Sequence, residues 1–205
     1  MADIPLIQHV LGEKFERLEG PVKTHFSLKP DDPARIVLQG HMDQVWHPGW
    51  LTLPMWCASF VGVLFPETGR HVPVTITIEA QGLRQQWHRT FEFGQRRRGF
   101  SDAMVYDPVE NRILNFFGRG DRFAMVFHFG TLPNGGIEII GGQNFVNLGS
   151  KRLAAPRLMT PAMVVQEWPV SDDTIQMKFS MRHPAMGQLY QYDGRFVVKK
   201  EQDGV

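Results

Sequence analysis

Val72, Val74, Ile76 and Ile78 alternate with Pro73, Thr75, Thr77 and Glu79. A period of two is the pattern of a strand with one buried face. Gln81 and Gly82 turn the chain, and the return strand puts Trp87, Arg89, Phe91 and Phe93 on one face and His88, Thr90 and Glu92 on the other. Further strands are expected over Arg35 to Gln39, up to Tyr106, over Arg112 to Phe117, Arg122 to Phe129, Ile137 to Ile140, Met163 to Trp168, Ile175 to Arg182 and Gln188 to Val198. Gly, Pro, Asn and Asp clusters separate most of them. Gly141-Gly142 reads as a break before Gln143 to Leu148, Ala154 to Pro161 as an irregular passage, and the charged residues 199–205 as a frayed tail. Hairpin after hairpin implies a mainly β (α+β) fold: a curved antiparallel meander or partly open barrel.

Such a sheet needs a cover for its apolar face. The segment between Pro48 and Pro66 offers one, because its seventeen residues, Gly49 to Phe65, carry no charge. Leu51, Met55, Ala58 and Phe65 fall on one side of a helical wheel and Trp56, Phe60 and Val63 on another, and a helix apolar all round is normally buried. As a helix the segment would reach roughly 26 Å, short of the roughly 30 Å hydrocarbon core of a bilayer. Pro54 also counts against a span. A core or lid helix is therefore expected, with peripheral membrane contact as the second reading. Cys57, the single cysteine, is expected as a small core residue, and it rules out an internal disulfide. At the N-terminus Ile4, Leu6, Ile7, Val10, Leu11, Phe15 and Leu18 recur at helical spacing after Asp3, an N-cap. Gly20 and Pro21 stop that helix, and one more turn follows with His25 beside Phe26.

The 205 residues show no Gly/Ser/Pro linker, so one domain over 1–205 is expected, its core near 4–198. A net charge of +1 gives no field to recruit nucleic acid. The Arg96-Arg97-Arg98 run reads as a solvated loop. No basic segment followed by an apolar run opens the chain, so a cytoplasmic protein is the default expectation, with membrane association through Gly49 to Phe65 as the secondary one. No metal site and no cofactor are expected: His-Glu-x-x-His and paired cysteines do not occur, and His41 and His47 are the nearest approach to a ligand pair. Gly141-Gly142 lacks the Lys-Ser/Thr of a phosphate loop, and no Gly-x-Ser-x-Gly elbow occurs.

Polar residues set among aromatics remain: His25, Arg89, Glu167 and Tyr192. A guanidinium on an apolar face must find a partner. Arg89 is expected either to pair with Glu167 or to hold the anionic head of a ligand. Trp56, Trp87, Phe91 and Tyr192 would supply the apolar wall. Fifteen Phe and ten Met make a large, adaptable interior. The leading expectation is the binding of a hydrophobic small molecule or lipid. The alternatives are an acid-base enzyme of isomerase or cyclase type, with His25, Arg89 and Glu167 as catalytic candidates, and a non-enzymatic partner domain.

Leu11-Gly12 with Phe15, Leu18 and His25, then Val72-Pro73-Val74 and Trp87-x-Arg89-x-Phe91, then Phe117-Gly118 and Phe123, form an ordered set. Glu167, Phe179, Pro184, Gly187 and Tyr192-x-Gly194 complete it. In their order and spacing the chain resembles a bacterial family catalogued as domain of unknown function 4166, from about Leu11 to about Phe196. The resemblance implies no activity. That family often follows a dehydrogenase-like nucleotide-binding domain, which implies a dehydrogenase-like partner. The Leu-Pro passage it would have after Gly149 reads Ser150-Lys151-Arg152-Leu153 here.

Overall fold

A computed structural model describes residues 3–148, 151–156 and 160–202. The alternating segments become β1 (Ala34–Trp46), β2 (Gly69–Gln81), β3 (Arg84–Phe93), β4 (Arg96–Asp107), β5 (Arg112–Phe117) and β6 (Phe123–Thr131). They continue as β7 (Ile137–Leu148), β8 (Lys151–Ala154), β9 (Ala162–Pro169), β10 (Thr174–His183) and β11 (Gly187–Gln202). Every pairing is antiparallel, in the order β6-β5-β4-β3-β2-β1-β11-β10-β9-β7. Because β6 also pairs with β7, the sheet closes on itself as a barrel with no gap, and β8 hangs on the far half of β7. Closure removes the open edges that a meander would expose.

Alternation decides what lies inside. Ile36 and Leu38 of β1, Ile76 and Ile78 of β2, Phe91 of β3 and Phe196 of β11 are fully buried. Between β1 and β11 the backbones come so close that a Cβ on Gly40 would meet the Arg195 carbonyl and one on Gly194 the His41 carbonyl. Glycine at both positions lets this pair of long strands coil tightly.

The N-terminal segment is not one helix. Gly12, at φ 56°, breaks it into α1 (Gln8–Leu11) and a 3-10 turn (Gly12–Arg17), and Gly20-Pro21 open α2 (Gly20–His25) rather than ending a helix. These turns plug one end of the barrel with Leu6, Phe15, Val22, Phe26 and Leu28. Glu19 N donates to Gly135 O in the β6–β7 turn, Gly82 N in the β2–β3 turn to Asp31 Oδ1, and Gln85 Nε2 to Leu28 O. That is the plugged end.

The opposite end is crossed by the link from β1 to β2, where the charge-free segment lies. Only Thr52–Phe60 is α-helix (α3), after a 3-10 turn at Gly49–Leu51. The expected buried helix is corrected. Leu51 and Met55 are buried, but Leu53, Trp56 and Phe60 are 68, 51 and 56% exposed, and Cys57 is exposed rather than core. Met55 is the one buried residue of α3, so the helix rests on the barrel by a single stripe. His47 ties the base of the link together, its Nδ1 3.0 Å from Pro48 O and its Nε2 2.9 Å from Pro66 O. Beyond the helix, Arg119 N in the β5–β6 turn donates to Val61 O, and Phe65 packs on Phe91 and Phe93. No helix among the described residues is long and apolar enough to cross a membrane.

Three more expectations shift. β7 runs unbroken through Gly141-Gly142, the 199–202 tail is strand paired with Ala34 to Val37, and Arg96 to Arg98, expected as a loop, open β4. Gly149 and Ser150, and 157–159 within the passage from Ala154 to Pro161 expected to be irregular, lie outside the described residues.

Candidate functional site

A cavity of about 120 Å³ remains inside the barrel, between the plug and the link that crosses the open end. Most of its wall is soft and apolar: Met104, Met125, Met163, Met177 and Met181, with phenylalanines from β4, β5, β6 and β10. Val63 and Leu64, from the end of the crossing link, reach the cavity as well. Against this lining stand Trp87, Arg89, Asp102, Asn115, Glu167 and Tyr192.

Period-two geometry explains how they meet. Arg89 follows Trp87 by two on β3, Asp102 lies between Phe100 and Met104 on β4, and Asn115 between Ile113 and Phe117 on β5. All point inward with their apolar neighbours. Since Trp87 faces Asp102 and Arg89 faces Phe100 in the β3–β4 register, the Arg89 guanidinium reaches Asp102 diagonally. The two form an ion pair, Nη1 to Oδ1. The guanidinium carbon also lies 5.0 Å from the Trp87 ring centroid and 5.1 Å from that of Phe100, within cation–π range. Burial pulls the Arg89 pKa down from its ordinary value, while Tyr192 and Glu167 push it back up.

The expected Arg89–Glu167 pair is thus not formed. Glu167, on the β9 wall and 2% exposed, is instead 2.7 Å by its Oε2 from His25 Nδ1. His25 is carried into the floor of the barrel by α2 and packs against Phe26 and Trp87, at centroid distances of 4.3 and 5.1 Å. Tyr192 on β11 stacks on Phe179 at 4.6 Å. Burial raises its pKa to about 12; Arg89 lowers it and Glu167 raises it. The phenol is therefore a donor throughout the neutral range.

Of the residues expected at the site, the structure gathers Arg89, Trp87, Glu167 and Tyr192 around the cavity, with His25 directly behind Glu167. Two are corrected. Phe91 is packed into the wall against Phe65 and Phe100 and does not reach the cavity. Trp56 lies outside, edge-on to Phe60 at 4.6 Å. Asp102 and Asn115 are not among the expected residues, although each shares the parity of the apolar residues two positions away. Several buried polar atoms make no hydrogen bond among the described residues: Trp87 Nε1 and Asn115 Oδ1, both in cavity-lining residues, and His25 Nε2.

No metal site was expected, with His41 and His47 the nearest approach. The structure parts those two: His47 is buried at the base of the link, while His41 lies on the outer wall with Asp43 and His71, one ligand atom of each within 4.8 Å of the others. Asp43 is the bulged residue of β1, and His71, opposite it, has φ 51°. This exposed trio is separate from the cavity.

The family model described as Domain of unknown function (DUF4166) matches residues 18–196. The chain belongs to this family. The uncharacterized protein YndH of Bacillus subtilis (strain 168) is 29% identical over 143 residues, which cover 67% of this chain and 70% of YndH. Among solved structures, the S-type phycobiliprotein lyase CPES from Guillardia theta aligns over 96% of this chain and 94% of its own, at 10% identity and a TM-score of 0.34. So loose an overlap carries no functional argument.

Proposed function

We propose that this protein binds a compact apolar molecule with a neutral, hydrogen-bonding end inside its barrel. The observation that carries the reading is the internal cavity whose greasy wall holds buried polar atoms without partners among the described residues, Trp87 Nε1 and Asn115 Oδ1. Leaving such an atom unsatisfied costs on the order of 1–3 kcal/mol, so a ligand group or a water that meets it recovers free energy. Arg89 is already neutralised by Asp102, which weakens the case for an anionic head. Size points the same way. A protein cavity of roughly 150 Å³ accepts a benzene-sized guest, so about 120 Å³ suits a single ring or short branched chain unless Val63 and Leu64 move aside. The methionine lining adapts to several shapes. A cavity of this kind also speaks against a filled partner domain.

The test is native mass spectrometry of freshly purified protein, followed by thermal melts with phenols, cyclic terpenoid alcohols, fatty acids and their neutral amides. Neutral compact compounds are expected to raise the melting temperature by linkage. A preference for carboxylates over matched amides, or no shift with any compound, sinks the reading.

The contact between Glu167 and His25 favours one second reading, an acid-base enzyme acting in the same cavity. Glu167 would move the proton and His25 would orient it. Binding without chemistry returns the ligand unchanged. Conversion by the wild type, lost in Glu167→Gln while binding persists, would establish the enzyme.

A further inference from the structure

The two ends of the barrel differ in what they show to solvent. Of the ten large apolar side chains left exposed among the described residues, seven lie at the end opposite the plug: Trp50, Leu53, Trp56 and Phe60 in the crossing link, Leu148 and Leu153 in the β7–β8 hairpin, and Met186 in the β10–β11 turn. The same end carries Arg97, Arg119, Arg122, Lys151, Arg152 and Arg182, all exposed and none in an ion pair with a described residue. Among the described residues there, Arg96 and Arg98 pair with Glu67, and Arg152 donates a hydrogen bond to Asn147 Oδ1. At the plugged end bases and acids are mixed: Lys23 pairs with Glu16, Lys29 with Asp3, Lys200 with Asp32 and Arg112 with Asp107, while Lys14, Arg17 and Lys199, in no ion pair with a described residue, are offset by the exposed acids Glu13, Glu19, Glu79 and Asp172. A chain with a net charge of +1 thus concentrates unneutralised positive charge at one end, around an aromatic patch.

We propose that this end docks on a bilayer surface carrying anionic headgroups, with Leu53, Trp56 and Phe60 entering the interface and the basic rim resting against lipid phosphates. Each half of the argument needs the other. An isolated apolar patch would fit a second copy of the chain equally well, but two copies meeting through this end would bring their basic rims together, and like charges repel. α3 carries no charge of its own, and the basic side chains around it come from the neighbouring strands and turns; at a membrane surface apolar insertion and attraction to anionic lipid add. Since α3 leads through Gly62 to Val63 and Leu64 at the cavity, the docked surface is also the way in for a molecule dissolved in the membrane. In that respect the inference rests on the cavity reading; the docking does not.

The test is co-sedimentation with phosphatidylcholine vesicles, with and without about 30% phosphatidylglycerol, paired with thermal melts and native mass spectrometry. The wild type is expected to bind the anionic vesicles at least about tenfold more tightly, and to weaken at about 0.5 M salt. Trp56→Ser with Phe60→Ser, and separately Arg97→Glu with Arg119→Glu, are each expected to cut that binding about tenfold or more. Their melting temperatures should stay put, since all four side chains are exposed. Indifference of the wild type to anionic vesicles, binding that survives the aromatic double substitution, or a dimer that this substitution dissociates would each overturn the proposal. Ligand-induced melting shifts without vesicle binding would end the docking and leave the cavity reading intact; vesicle binding without ligand shifts would do the reverse.

Discussion

Arg89 and Asp102 form an ion pair within the barrel from adjacent strands, with the guanidinium held between the Trp87 and Phe100 rings. The side chains are 12 and 6% exposed, so neither charge has bulk water as an alternative partner. Removing one partner leaves the other buried and alone, at a cost on the order of 3–5 kcal/mol. Arg89→Met should therefore lower stability by about that much, and adding Asp102→Leu should recover most of it. Urea unfolding of the two variants measures both. Glu167→Gln in the Arg89→Met background should give no such recovery, because Glu167 is committed to His25.

The hydrogen bond from α2 to β9 makes its own prediction. His25→Ala withdraws the imidazole from Glu167 Oε2 in a site with almost no solvent access, and should cost about 1–3 kcal/mol for the unsatisfied carboxyl group, beyond the volume lost. Glu167→Gln keeps an oxygen facing Nδ1 and should cost less. Equal losses in the two variants, by chemical denaturation, would mean that the contact contributes nothing beyond packing.

Exposure separates two aromatics of the crossing link from a third. Trp56→Ala and Phe60→Ala remove side chains that are half in water and should shift stability by no more than about 0.5 kcal/mol each. Phe65→Ala removes a ring wedged against Phe91, Phe93 and Tyr190, and should cost roughly 3–5 kcal/mol. Melts of the three variants decide whether the link is anchored at its end, as its contacts indicate, or along its helix.

What the sequence revealed follows from which forces act locally. The Val72 to Ile78 alternation and the Trp87 to Phe93 face were legible because a strand with one buried side must alternate, whatever it packs on. Barrel closure was not, since it depends on β6 meeting β7 while β7 meets β9. Gly141-Gly142 reads from sequence as a break before the next strand. In the strand a Cβ at these two positions would push aside the Met125 thioether and the His128 ring. The Gly49 to Phe65 segment misled because lack of charge marks a buried helix and an outward-facing apolar patch alike. Arg89 was recognisable as a cation needing a partner. Its partner was not, because Glu167 and Asp102 both face inward and only the β3–β4 register separates them.

Tyr192 ties the site to the stability of the fold at high pH. Burial lifts its pKa from 10.0 to about 12, with Glu167 adding to the rise and Arg89 opposing it. A phenol whose folded pKa exceeds its unfolded value favours folding in its protonated form. That contribution is complete below pH 10 and is lost as pH climbs toward 12. A rise of this size is worth roughly 3 kcal/mol of folding free energy. Tyr190, also pushed well above its ordinary value by burial, adds to the same slope. Unfolding free energy measured in urea at several pH values should therefore fall between pH 10 and 12. Tyr192→Phe, which keeps the ring on Phe179 and removes the titrating hydroxyl, should flatten part of that fall while leaving stability at pH 8 within about 1 kcal/mol of wild type. An unchanged slope in the phenylalanine variant would mean that the hydroxyl has water access despite its place in the barrel wall.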